Sequence, residues 1–130
     1  GRVISVRFHV PVLPLVWDPT LQPPHQNDYV EWALGKGFEV RAGTKRLRIS
    51  DAQIVCSTGD TVAITMAEEL PATGVIVTYA LYGEDAPRSI PVTGAPRWGL
   101  LHDSDPFVGS STQQPQPNYA VAFELPVPDL

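Results

Sequence analysis

An antiparallel β-sandwich of the jelly-roll or immunoglobulin-like kind, all-β with long loops and at most one short helix, is the fold class the sequence predicts. Valine is its commonest residue, with 15 copies, and 14 of the 130 residues are proline. β-Branched side chains suit strands, whereas proline is excluded from helix interiors and central strands. Short runs of alternating apolar and polar residues are punctuated by turn-type clusters at the spacing of about 8 to 12 residues typical of a sandwich, with a barrel as the alternative.

The first strand is predicted over Val3 to Val12, with Ile4, Val6, Phe8 and Val10 on one face and Ser5, Arg7 and His9 on the other. Pro11 and Pro14 interrupt the apolar run that continues through Leu13, Leu15, Val16 and Trp17, so this segment reads as an edge strand or one that switches sheets. Asp28-Tyr29-Val30-Glu31 has the spacing of a capping box, and Gly35 follows as a stop, which predicts one short helix carrying Trp32. Gly37 to Arg41 alternates again and leads into a turn at Ala42-Gly43-Thr44-Lys45.

Leu47, Ile49, Ala52, Ile54 and Cys56 follow, with their parity shifting across Ser50-Asp51, where a bulge restores the facing. Cys56 is thereby expected to be buried and inert in a strand. Ser57-Thr58-Gly59-Asp60 has hairpin composition and returns the chain into Thr61 to Met66, with Val62, Ile64 and Met66 inward. Val75 to Tyr82 is apolar on both parities in places, as a central strand covered on both sides would be. After a predicted loop over Gly83 to Pro96 comes Arg97 to Phe107, then a Ser/Gln/Pro-rich link, and Tyr119 to Leu125 as the final strand, with Pro126 and Pro128 ending regular pairing.

A chain of 130 residues fits one domain, residues 1–130, with one core. It begins Gly1-Arg2-Val3 inside a strand pattern without an initiator methionine, which reads as a piece excised from a larger protein. The formal charge of −5 and nine scattered Lys and Arg residues argue against a nucleic-acid partner. No apolar run approaches the roughly 18 residues that span a bilayer, so no membrane partner is expected. The single cysteine precludes an intrachain disulfide and a multi-cysteine zinc site.

Catalytic signals are missing. No Gly-x-Ser-x-Gly elbow is present, and Gly59-Asp60 is followed by threonine rather than serine. His9, His25 and His102 lack the spacing of paired metal ligands, so no cofactor is expected. Asp103-Ser104-Asp105 can either offer oxygens to calcium or cap turns by accepting backbone N–H bonds. Sugar recognition needs flat aromatic faces flanked by groups that bond hydroxyls. Trp98, beside Arg97, His102, Asp103 and Asp105, has that composition. Trp32, flanked by Glu31 and Lys36, is a second candidate platform and Asn118-Tyr119 a third. Against this stands a purely structural role, with the tryptophans in the core and Arg97 paired to Asp103 or Asp105.

Phe8 to Asp18, Gly37 to Val40, Val77-Thr78-Tyr79-Ala80 and Arg97 to Asp105 together resemble the C-terminal β-sandwich region that follows SGNH-type (sialate O-acetylesterase-like) hydrolase domains in phage tail and related bacterial surface proteins. There, a Gly-Asn-Leu-Arg-Asp-Ser-like loop follows a Tyr-Ala strand end. Gly99, Leu101, Asp103 and Ser104 match in order, while Leu100 and His102 stand where the pattern has Asn and Arg. The resemblance implies an appended, non-catalytic module of an extracellular, virion or cell-surface protein, with chemistry in a neighbouring catalytic domain. The expected partners are a polysaccharide or oligosaccharide and that domain, or a homo-oligomer of a tail fibre or tailspike joined through an apolar edge such as Leu13 to Trp17.

Overall fold

The structure is a computed structural model and describes residues 1–21, 30–81 and 99–129, the first three residues of the middle segment by their backbone alone. In chain order its strands are β1 (Val3–Arg7), β2 (Val16–Trp17), β3 (Phe38–Ala42), β4 (Lys45–Leu47), β5 (Ile49–Ile54), β6 (Thr61–Met66), β7 (Val75–Tyr79), β8 (Leu101–His102) and β9 (Phe123–Pro126). A 3-10 helix over Val30–Gly35 is the one helical element among the described residues. Three antiparallel sheets result: β1-β6-β5, the two-stranded β2-β8, and β4-β3-β7-β9. The fold is all-β and sandwich-like, as the alternation predicts.

Alternation translates directly into facing. Ile4 and Val6 from β1, with Ala52, Val62, Ile64 and Met66 from β5 and β6, meet Phe38, Val40, Leu47, Val75, Val77 and Tyr79 from the four-stranded sheet in one core. Each large apolar side chain withdrawn from water there contributes about 1.5–3 kcal/mol before the entropy of ordering is subtracted. β7 lies between β3 and β9 and buries Val77, Thr78 and Tyr79, the central position its two-sided apolar run predicts. The register slips between Ile49 and Asp51 where β5 pairs with β6, which is the bulge required by the parity shift.

The proline-rich segment changes sheets. β1 belongs to the three-stranded sheet and β2 pairs with β8, with a cis Leu13-Pro14 bond between them. Leu15 is buried and Val16 and Trp17 half-buried, so within the Leu13 to Trp17 run it is Leu13 and Pro14 that stay exposed. Gly59 closes the β5–β6 turn with φ +71°, and a Cβ there would stand 3.0 Å from Cβ of Pro14. Glycine is needed at that position for both reasons.

Several predicted elements differ. Cys56 is exposed rather than buried, because Thr58 and Gly59 both donate to the Val55 carbonyl and β5 has already ended at Ile54. The first strand ends at Arg7, after which Phe8 and Val10 remain half-buried outside regular pairing. The final strand is Phe123–Pro126, with Pro126 still paired to Ile76, whereas Tyr119 forms an isolated antiparallel bridge with His102. Asp28 of the capping box and the loop over Gly83 to Pro96 lie outside the described residues.

Candidate functional site

β2 and β8 bring three distant parts of the chain to one edge. Val16 pairs with His102 and Trp17 with Leu101, the Asp18 N–H donates to the Leu100 carbonyl at 2.7 Å, and the Ala120 N–H to the Leu101 carbonyl at 3.0 Å. Asp18, His102-Asp103 and Asn118-Tyr119 are thereby set side by side. Of the eight residues singled out for ligand contact, His102, Asp103, Asp105, Asn118 and Tyr119 are gathered here. Arg97 and Trp98 lie outside the described residues, as does the Trp32 side chain, although the Trp32 backbone is placed in the 3-10 helix. Lys36 follows that helix, and its ammonium group bonds the Ala52 carbonyl at 2.7 Å and sits 4.7 Å from the centre of the Trp17 ring.

Asp103 is the hub of this edge and is 2% exposed. Its Oδ1 accepts the Asn118 N–H at 2.9 Å and the Asp105 N–H at 3.1 Å, while Oδ2 accepts Asn118 Nδ2 at 2.8 Å. A carboxylate out of reach of solvent with three donors on it positions the loop and has little capacity left for a ligand. Asp105 continues the network, Oδ1 accepting the Phe107 N–H at 3.0 Å and Oδ2 facing Asn118 Nδ2 at 3.3 Å. These are the turn-capping roles of the two aspartates. Among the described residues there is no group of three or more His, Cys, Asp or Glu side chains arranged to hold a metal ion.

Asp18, which no motif in the sequence singles out, is the second anchor. It is 6% exposed, and its Oδ1 accepts the Thr20 hydroxyl at 2.6 Å and the Thr20 N–H at 2.8 Å. The Tyr119 hydroxyl donates to Oδ2 across 101 residues of sequence. These donors, the Thr20 hydroxyl foremost, hold the Asp18 carboxyl down at about 2, and the carboxylate in turn pushes the Tyr119 phenol up. The Asn118 amide likewise holds Asp103 below the usual carboxylate range. His102 Nδ1 lies 2.6 Å from the Asp103 carbonyl, which only accepts, so Nδ1 carries a hydrogen and donates it there. The His102 and Tyr119 rings meet edge to face at 5.3 Å, and Tyr119 keeps 49% of its surface exposed.

The edge is therefore a fixed frame of buried carboxylates presenting one broad aromatic side chain, an amide and an imidazole. No adjacency in sequence signals that Asp18 belongs with Tyr119. The only local hint is Asp18-Pro19-Thr20, an acid two residues ahead of a hydroxyl, which is the spacing of an Asx turn. Comparison with protein-family models, with curated proteins and with solved structures finds no match to this chain.

The depressed carboxylates carry a pH signature. A folded-state value below the unfolded one means that the native state binds fewer protons, so the stabilisation is complete above the ordinary value of 3.8 and is lost as pH falls through about 2. Melting temperature should thus drop between pH 5 and pH 2, and Asp18→Asn should flatten that drop while lowering the neutral-pH plateau. Thermal melts across that range measure both, and parallel curves for the two proteins would exclude Asp18 as an acid-limb group.

Proposed function

We propose that this domain is a non-catalytic accessory module of an extracellular, virion or cell-surface protein, one that binds surface polysaccharide or supports a neighbouring esterase-type, carbohydrate-active domain. The observation that carries this reading is the half-exposed Tyr119 ring, held edge to face against His102 and tethered through its hydroxyl to buried Asp18. A ring fixed in this way loses little conformational entropy on contact with the apolar face of a sugar, and Asn118 Oδ1 and Nε2 of His102 are the neighbouring groups that would meet its hydroxyls. The frame beneath it is preorganised by Asp103 and Asp105, whose hydrogen bonds lie within the protein.

Titration calorimetry of the protein with host-type polysaccharides tests the proposal. Tyr119→Ala should weaken binding by about tenfold or more, equivalent to about 1.4 kcal/mol. Tyr119→Phe, which keeps the ring and loses the tether to Asp18, should weaken it less. Trp98→Ala provides the corresponding test of the other tryptophan candidate. Absence of binding to every polysaccharide, or affinity unchanged in both alanine variants, would remove the recognition role.

An assembly role in a tail fibre or tailspike is the second reading, favoured by the position of β9 at the open edge of the four-stranded sheet, where Leu125 is 51% exposed and Val121, just ahead of the strand, 79%. Exposed edges of this kind template pairing with another chain. Light scattering separates the two readings, since a concentration-independent trimer without glycan affinity favours assembly.

A further inference from the structure

A second candidate site lies away from the Tyr119 edge, where β1 ends. Arg7, Phe8, His9, Val10, Leu13 and Asp60 line an open cleft of about 440 Å³. That volume falls within the range of pockets for small organic ligands and is ample for one sugar ring. Its floor is firm. The Phe8 ring packs edge-on against Phe38, Tyr79 and Phe123 at 5.9–6.4 Å, so the side that faces the cleft is backed by the core. Leu13, 54% exposed, supplies an apolar wall.

The polar rim is as well fixed as the floor. The Phe8 N–H donates to the Asp60 carbonyl at 2.8 Å, and Asp60 Oδ1 accepts the Thr61 hydroxyl at 2.7 Å. Asp60 Oδ2 then takes Nε of Arg7 at 2.8 Å, which orients the guanidinium while leaving its side chain 82% exposed. The two Nη groups are donors available to a ligand. The exposed His9 ring adds both a donor and an acceptor.

We infer that this cleft is a sugar-binding subsite for a neutral, hydroxyl-rich ring, with Arg7 and His9 bonding hydroxyls and Phe8, Val10 and Leu13 taking the ring's apolar face. Neutral hydroxyls both donate and accept, as the rim does. An acidic sugar would meet the Asp60 carboxylate, which already neutralises Arg7. The inference deepens the proposed recognition function and rests on it, but uses none of the residues at the Tyr119 edge.

Amide-resolved NMR titration of the 130-residue protein with glucose, galactose, N-acetylglucosamine and their trisaccharides, with glucuronate as the acidic probe, tests it. The expected result is saturable perturbation of the Phe8, His9, Val10 and Thr61 amides by at least one neutral probe. Affinity should fall at least about fivefold in Arg7→Gln, whose exposed side chain can be replaced without disturbing the core, and also in Leu13→Ser. Absence of perturbation at these amides, perturbation unchanged in Arg7→Gln, or a response to glucuronate alone would overturn it. Because Asn118, Tyr119 and Ala120 report separately, perturbation confined to them refutes the cleft while leaving the proposed function standing, and silence at both places refutes both.

Discussion

Replacing Gly99 with alanine is expected to be the most disruptive glycine-to-alanine change among the described residues. A Cβ at this position would stand 2.0 Å from both Cζ and the hydroxyl oxygen of Tyr79, far inside any tolerated contact. Tyr79 cannot swing away, because it is 1% exposed, stacked on Phe123 at 5.9 Å and tilted against Phe38 at 4.8 Å. Its hydroxyl also accepts the Leu101 N–H at 3.0 Å, and burial has pushed its phenol up to about 12, so it stays neutral in that contact. Relief requires moving either the tyrosine or the start of β8, and with β8 the whole Asp18–Tyr119 edge. Overpacking of this severity costs about 3 kcal/mol or more. Urea denaturation of Gly99→Ala measures it, and Tyr79→Leu in the same background should recover part of the loss. A Gly99→Ala protein with an unchanged midpoint would show that the close approach does not exist.

That contact illustrates what local sequence can and cannot encode. The facing of β1, the bulge at Ser50–Asp51 and the central place of β7 all follow from which residues of one short run are apolar, and each is where the pattern puts it. Cys56 deceived because Ile54-Val55-Cys56 continues an apolar run, yet two N–H groups from the turn fold back onto the Val55 carbonyl and end the strand before the cysteine. Hydrogen bonds, not hydropathy, set that boundary. The candidate edge was half legible. His102, Asp103, Asp105, Asn118 and Tyr119 were visible as a polar and aromatic mixture, but their tie to Asp18 depends on β2 pairing with β8. A two-residue strand after a proline-rich bend has no periodicity to read. Asp103 reads as a ligand contact because acids flank sugars, and what the sequence does not carry is its burial and the bonds its oxygens take from the Asn118 backbone and side chain. The Arg7–His9 cleft was invisible for a similar reason, since Asp60 reaches it from the far side of the β1–β6 pairing.

Phe38→Ala should destabilise the domain by about 3–5 kcal/mol, the range for deleting a fully buried aromatic ring. The expectation rests on more than its 0% exposure. Its ring meets Phe8 at 6.3 Å, Trp17 at 6.5 Å, Tyr79 at 4.8 Å and Phe123 at 6.3 Å, and so touches the end of β1, the two-stranded sheet, and β7 and β9 of its own sheet. A cavity at that point withdraws support from all three sheets at once. The loss approaches the whole stability of a domain with a typical margin of about 5–15 kcal/mol. Phe123→Ala offers the contrast, because that ring is only half-buried at the sheet edge and its removal should cost clearly less. Chemical denaturation of the two variants gives the ordering, and near-ultraviolet circular dichroism should lose more signal for Phe38→Ala even though each variant lacks one phenylalanine. Equal losses would mean that the aromatic cluster is a set of independent contacts. The predicted inequality makes Phe38 the residue through which packing of the two large sheets and placement of the Trp17–Asp18 strand are coupled, so that a change in the core is felt at the Tyr119 edge.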